Sequence, residues 1–302
     1  MLKIGVIGLG DIAQKAYLPV FAEKSDVEFH LFTRDIAKLK NLAAKYRFSH
    51  IHLSLDELIE SGVKGAFVHS ATESHHEIVK QLLLAGIHVY VDKPIAYEYE
   101  KARELKELAE EKGLILMTGF NRRYAPAYKQ LTELKEPNMV IMQKNRKALP
   151  GEIRHFILDD FIHVVDTLRF LFPYQIKQVN VTGKKSGAFL HHVVIQLQAE
   201  EGTAIGIMNR DSGVVEEKVE VFQSNQKRTA VNVSDLFVQE NRAETRHGGS
   251  DWEPTLHKRG FEQIIFDFIQ AVGSNTSPLI TANDSLKTHE ICEKIVLKLE
   301  GI

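Results

Sequence analysis

Leu2-Lys3-Ile4-Gly5-Val6-Ile7-Gly8-Leu9-Gly10-Asp11-Ile12-Ala13 opens the chain, and its reading decides the fold. A short apolar run breaks at Gly8-Leu9-Gly10 and resumes with helix-forming residues, the pattern of a strand, a tight turn and a helix start. Gly8 can take the positive-φ geometry of such a turn, Gly10 lets a backbone approach a pyrophosphate, and small Ala13 allows the helix to pack closely on the strand. The unpaired N–H groups of that helix start, at Asp11, Ile12 and Ala13, favour an anion. The stretch therefore reads as a dinucleotide-binding fingerprint with alanine in the third glycine's place. An ordinary tight turn between strand and helix is the competing reading.

Outward from this turn, strands and helices alternate. Strands are expected at 27–32, 65–69, 87–91 and 114–118, and helices at 14–23, with a kink at Pro19, and at 36–46, 55–60, 77–84 and 97–112. Such alternation predicts a parallel sheet covered on both faces, with ligands along the carboxyl edge of its strands. After Asn121-Arg122-Arg123-Tyr124 the rhythm stops, which divides the chain into a dinucleotide-binding domain, 1–121, and an α+β domain for substrate binding and oligomerisation, 122–302. In the second domain, runs at 179–182, 191–199, 203–209 and 218–222 read as an antiparallel meander. Residues 234–252 read as a polar irregular loop, with Gly248-Gly249-Ser250 at its tip, and 259–272 and 285–299 as closing helices. The fold class is an α/β Rossmann domain followed by an α+β domain with an open, mostly antiparallel sheet.

Composition narrows the function classes. The 302 residues are 44% hydrophobic and 26% charged, with a formal net charge of −2, so no field recruits nucleic acid. No apolar run approaches the roughly 18 residues that span a bilayer, and no signal-type segment precedes the first strand. Cys292 is the only cysteine, so no intramolecular disulfide forms and a reducing compartment, the cytoplasm, is expected.

Three stretches carry candidate chemistry. The strand at 87–91 runs into Asp92-Lys93-Pro94, which presents a lysine at a strand's carboxyl end, where it can hold a substrate hydroxyl while Asp92 holds its ammonium. Asp159, His163 and Asp166, at i, i+4 and i+7 in a helix over 158–170, line one face; a carboxylate one turn away can fix the imidazole's tautomer for a general base. Packing or metal binding are the alternatives there, and no metal is expected because no further ligand cluster joins them. Ser70, Thr72 and His75, after the strand ending at His69, can contact cofactor phosphates, ribose or nicotinamide, while Ser74 caps the next helix.

These marks together, Gly8-Leu9-Gly10-Asp11-Ile12-Ala13, Asp92-Lys93-Pro94, Asn121-Arg122-Arg123-Tyr124 and Asp159 four residues before His163, resemble the Gfo/Idh/MocA oxidoreductases, and most closely their MviM-like members. Asp92 stands for the family's usual Glu, and Ala71 where many members carry proline. The resemblance implies a nicotinamide cofactor, a catalytic lysine at Lys93, an acid/base histidine at His163, and a carboxylate at Asp159 that contacts substrate or orients the site. It implies hydride transfer to or from a hydroxyl-bearing carbon of a sugar, cyclitol or related polyol in a cleft between the domains, with Tyr124 among the specificity contacts. A cofactor-binding sensor without turnover, and an oligomeric sugar-binding scaffold, are the rival functions. The apolar face of the second domain's sheet and the family's habit imply a homodimer or homotetramer. For the cofactor, the position that would carry an acidic residue for the ribose of NAD is Thr33; Arg34 follows and Lys38 lies one turn on, so NADP is expected in preference to NAD.

Overall fold

The computed structural model describes residues 1–248 and 252–301. They form two compact units, Met1–Gly119 with Phe261–Lys287, and Phe120–Gly260 with Thr288–Ile302.

The first unit holds six strands, β1 (Leu2–Ile7), β2 (Val27–Phe32), β3 (His50–His52), β4 (Gly65–Val68), β5 (His88–Val91) and β6 (Leu116–Thr118). All neighbours are parallel and the spatial order is β3-β2-β1-β4-β5-β6. The order reverses between β1 and β4, so the carboxyl ends of these strands open the crevice where doubly wound sheets hold ligands. β3, only three residues long, is an edge strand that the sequence reading did not foresee. One face of the sheet packs Ile7, Val68 and Val89 against Val79, Leu82 and Leu105 of the helices His75–Leu84 and Tyr99–Glu111. The other face is aromatic: Phe21 stacks on Phe29 at 4.6 Å, and Phe67 meets Phe268 of the helix Phe261–Ser274 edge-on at 4.9 Å. That last helix returns to this unit from far along the chain because its apolar stripe, Ile264, Ile265 and Phe268, completes the cover.

The helix after the glycine turn starts at Asp11, at the helix start read in the fingerprint and ahead of the span 14–23. The expected kink at Pro19 takes the form of a π turn over Ala13–Tyr17 followed by an α-helix over Leu18–Ala22. Proline has no N–H to give the preceding turn and its ring crowds the carbonyl there, so the turn widens.

In the second unit nine strands form one sheet: β7 (Met139–Lys147), β8 (Gly151–Glu152), β9 (Gln178–Ser186), β10 (Phe189–Gln198), β11 (Thr203–Ser212), β12 (Glu216–Phe222), β13 (Lys227–Val231), β14 (Asp235–Glu240) and β15 (Ala243–His247). The expected meander holds for β9, β10 and β11 but not beyond. β7 inserts between β11 and β12, parallel to the former and antiparallel to the latter, so the sheet is mostly, not wholly, antiparallel. Residues 234–247 are corrected too: instead of an irregular loop they form the hairpin β14–β15, whose polar alternation belongs to a sheet edge facing water. Gly249 and Ser250 lie outside the described residues.

The helix Ile162–Leu171 covers one face of this sheet; a side chain at Gly206 of β11 would come within 2.9 Å of Val164 and 3.0 Å of Leu168. Inward positions alternate as Val140, Met142 and Lys144 on β7, and Glu217, Val219 and Val221 on β12, whereas Ile141, Val194, Ile205 and Ile207 lie on the opposite face and are half-buried.

Candidate active site

In the first unit, four of the stretches singled out in the sequence follow carboxyl ends of neighbouring strands: Gly8 after β1, Thr33 after β2, Ser70 after β4 and Asp92 after β5. Gly8 has φ +86°, its N–H donates to Phe32 O at 2.9 Å, and a Cβ there would lie 2.5 Å from Ser70 N. Only glycine fits. A Cβ on Gly10 would meet nothing nearer than His69 O at 3.8 Å. The fold itself does not require glycine at 10, so the open space above this helix start suits a pyrophosphate approaching the backbone. Asp11 and Ile12 are exposed at the helix start, Asp11 bonded to Lys15 at 2.8 Å, and Ala13 is fully buried against the strand. Past β2, Thr33 is half-buried and Arg34 and Lys38 are exposed. Asp35 accepts from Lys38 N at 2.9 Å and caps the helix Ile36–Tyr46.

The lysine turn is held from behind. Asp92 accepts from Tyr17 Oη at 2.9 Å and pairs with His69 Nδ1 at 2.8 Å, and the Tyr17 and Tyr90 hydroxyls are 2.6 Å apart. Burial opposes ionisation of this carboxyl, but His69 and the Tyr17 hydroxyl prevail and hold it below the usual carboxylate range. Burial, with Asp92 beside them, pushes both tyrosines up. A Cβ at Gly119 would stand 2.9 Å from Tyr90 Oη, so the next strand end is shaped to the same network. His75, nearly inaccessible, places Nδ1 2.9 Å from Pro94 O and Nε2 3.0 Å from Ser70 O, tying the serine turn to the lysine turn. Lys93, half-buried, is presented by these anchored residues through a cis peptide to Pro94. Ser70 and Thr72 are half-buried. Ser74 starts the helix as expected but does not cap it: it lies in a 3₁₀ turn with helical backbone angles, its hydroxyl donates to Ala71 O at 2.8 Å, and its oxygen lies 2.9 Å from Ser70 Oγ.

In the second unit, the helix expected over 158–170 is a π turn, Phe156–Phe161, running into the helix Ile162–Leu171. Such turns recur at functional sites because they re-aim side chains. Here adjacent carboxylates diverge: Asp160 points into an ion cluster, while Asp159 and His163 are half-buried. Asp166 is not available as the carboxylate that orients His163. It is buried and takes a two-point contact from Arg123, 2.7 and 2.9 Å, plus the Thr288 hydroxyl at 3.0 Å.

The Asn121-Arg122-Arg123-Tyr124 stretch proves to be buried throughout. Arg122 makes a two-point contact with Glu217, 2.6 and 2.7 Å, and the Tyr128 hydroxyl donates to the same carboxylate at 2.6 Å. Glu217 lies opposite Lys144 in the β7–β12 register, and Lys144 reaches Asp160 at 2.5 Å, which Arg146 also contacts at 3.1 and 3.2 Å. Burial opposes both carboxylates, but Arg122 holds Glu217, and Lys144 with Arg146 holds Asp160, well below the usual range. Burial, reinforced by Arg122 and Arg146, pulls Lys144 down to about 7 despite its two acidic neighbours. Sequence reading missed Lys144, Asp160 and Glu217. One signal was there: Lys144 and Glu217 fall at inward positions of alternating strands, where an ionisable residue needs a partner.

The family model described as an oxidoreductase family with an NAD-binding Rossmann fold, Gfo/Idh/MocA, matches residues 2–120, and a YceM-like C-terminal domain matches 126–242. The chain is 31% identical to YceM of Salmonella typhimurium over 97% of each chain. It is 25% identical to a myo-inositol 2-dehydrogenase of Thermotoga maritima, over 94% of this chain and 92% of that one. A crystal structure of the dehydrogenase MviM from Clostridium difficile superposes with a TM-score of 0.93 at 33% identity, covering 98% of this chain and 99% of that one. Among the described residues no helix is long and apolar enough to cross a membrane.

Proposed function

Since the chain belongs to the Gfo/Idh/MocA oxidoreductases, with their NAD-binding Rossmann fold, we propose that it moves a hydride between a nicotinamide and the hydroxyl-bearing carbon of a sugar, cyclitol or related polyol. The observation that carries this reading is the position of Lys93, at the end of β5 on the same sheet edge as the Gly8 turn, on a turn anchored by Asp92, His69 and His75. The myo-inositol 2-dehydrogenase relative supports a polyol substrate.

Gly8, Gly10, Asp11, Ile12 and Ala13 hold the pyrophosphate side of the cofactor, and Ser70, Thr72, Asp92 and Lys93 the nicotinamide side, with His75 fixing the two turns. The bound cofactor supplies a hydride-accepting or hydride-donating carbon. Lys93 donates to the substrate hydroxyl and holds it, His163 takes the hydroxyl proton in the oxidative direction and returns it in the reductive one, and Asp159 orients substrate and imidazole. Tyr124 contributes to substrate specificity. Residues 1–121 thus serve the cofactor, and 122–302 the substrate and assembly.

NADP is the preferred cofactor. Arg34 and Lys38 offer exposed positive charge to a 2′-phosphate, and Asp35, the one acidic side chain between them, is engaged as a helix cap. The half-buried apolar residues Ile141, Val194, Ile205 and Ile207, on the sheet face opposite the helix Ile162–Leu171, support a homodimer or homotetramer formed through that face. The single buried thiol, Cys292, accords with a cytoplasmic enzyme.

The test is isotopic. Polyols and sugars carrying deuterium on the carbinol carbon, incubated with enzyme and oxidised cofactor, should deliver the label to the reduced nicotinamide. Product formed with the label released to water would overturn direct hydride transfer.

A further inference from the structure

At the β3 edge of the first unit's sheet, just ahead of the turn at Thr33, β2 and β3 carry Glu28-Phe29-His30 and His50-Ile51-His52. Alternate residues of a strand share a face, and His30 stands opposite His50 in the parallel register. The four polar side chains therefore gather on one side of the sheet. His30 Nε2 is 2.8 Å from Glu28 Oε1, His50 Nε2 is 3.5 Å from Glu28 Oε2, and the three ligand atoms lie within 4.8 Å of one another. The His30 ring stacks between those of His50, 4.7 Å away at 15°, and His52, 5.1 Å away at 13°.

We propose that Glu28, His30 and His50 form a binding site for a late first-row divalent cation of the zinc class. A tetrahedral ion with bonds of about 2.0–2.1 Å sets neighbouring donors about 3.3 Å apart; His30 Nε2 lies 2.8 Å from one Glu28 oxygen and His50 Nε2 3.5 Å from the other, so the side chains turn slightly to offer the ion one donor each. Two imidazoles and a carboxylate are the donor set that suits zinc and disfavours magnesium, which seeks oxygen ligands. His52 completes the arrangement. Its Nε2 is 2.8 Å from His30 Nδ1, so once His30 Nε2 ligates the ion, the proton on Nδ1 is donated to His52, the outer-shell bond that fixes a ligating imidazole. Lys3 Nζ, 3.6 Å from Glu28 Oε1, is the cation the ion displaces, and its stem is exposed enough to swing aside. Partial exposure of His50 and Glu28 gives the ion an entry path and leaves a fourth position for water. The ion would tie the short edge strand β3 to β2. The site is separate from hydride transfer and stands whether or not that reading does.

The experiment uses the full-length protein stripped with a chelator and titrated with Zn²⁺ alone by calorimetry, with Mg²⁺ as the comparison, followed by Co²⁺ as a spectroscopic stand-in. One equivalent of Zn²⁺ should bind, Mg²⁺ should not compete, and Co²⁺ should give the intense visible bands of a tetrahedral site. His50→Ala, a change at an exposed side chain, and Glu28→Gln should each weaken Zn²⁺ binding by at least about tenfold and abolish the Co²⁺ bands, with the circular dichroism of the metal-free protein unchanged. Absence of saturable Zn²⁺ binding, or binding equal in wild type and both variants, would overturn the proposal, the latter assigning the ion to other histidines among the 14.

Discussion

Glu217→Gln tests the ion cluster that ties Arg122 and Tyr128 to β12 in the second unit. Glu217 receives three donors, two from Arg122 and one from Tyr128, in a nearly water-free setting. Glutamine keeps the shape but removes the charge, and Arg122 cannot shed its proton, so a buried cation is left unpaired, a loss of about 3–5 kcal/mol. The carboxyl's own titration gives a second route to the magnitude. Its ordinary value of 4.5 falls to about 2 in the folded chain. At about 1.4 kcal/mol per pH unit, that gap is about 3 kcal/mol. Because the folded value is depressed, this stabilisation is complete above the unfolded value and is lost as pH falls towards 2. Thermal unfolding of wild type and variant should therefore differ by about 6–12 °C at pH 7, at about 2–4 °C per kcal/mol for a unit of this size. The difference should shrink to less than half by about pH 3. Equal melting temperatures at neutral pH, or a gap that does not change with pH, would refute the reasoning.

Other expectations follow from single contacts. Gly8→Ala, with a Cβ 2.5 Å from Ser70 N and a positive φ, should destabilise the first unit by at least about 2 kcal/mol, whereas Gly10→Ala, with 3.8 Å of clearance, should melt like wild type yet bind cofactor at least about tenfold more weakly; calorimetry and thermal melts separate the two. Arg34→Ala should lower the NADP/NAD affinity ratio about tenfold, and an unchanged ratio would remove Arg34 from the 2′-phosphate. Light scattering at micromolar concentration should return a multiple of 34.2 kDa, and the monomer mass would count against assembly through the open sheet face.

Much of the first unit was legible because its signals are local. The strand-turn-helix at Gly8 and the helices at 36–46 and 55–60 depend on spacing within a few residues, and they stand where the sequence placed them. β3 escaped notice because three residues carry no period, and its partner is found only through the His30–His50 register. The insertion of β7 beside β11 depends on pairing between residues some sixty positions apart, which alternation alone does not specify. In the second unit, helical spacing placed Asp159, His163 and Asp166 on one face, but it cannot reveal that Arg123 claims Asp166, nor that a π turn aims Asp160 inward. The Asp92 anchor was half legible: its place beside Lys93 was plain, whereas His69 and Tyr17 are brought to it by the fold.

The central claim, that Lys93 and His163 serve hydride transfer at one substrate hydroxyl, is tested most directly by following reduced-nicotinamide absorbance with NADP and NAD against a panel of sugars, cyclitols and polyols. At least one substrate should drive cofactor reduction, and Lys93→Ala and His163→Ala should each slow it by about two to four orders of magnitude, while calorimetric cofactor affinity stays within about twofold in His163→Ala. Turnover that survives either substitution unchanged, or no turnover with any member of the panel, would contradict it.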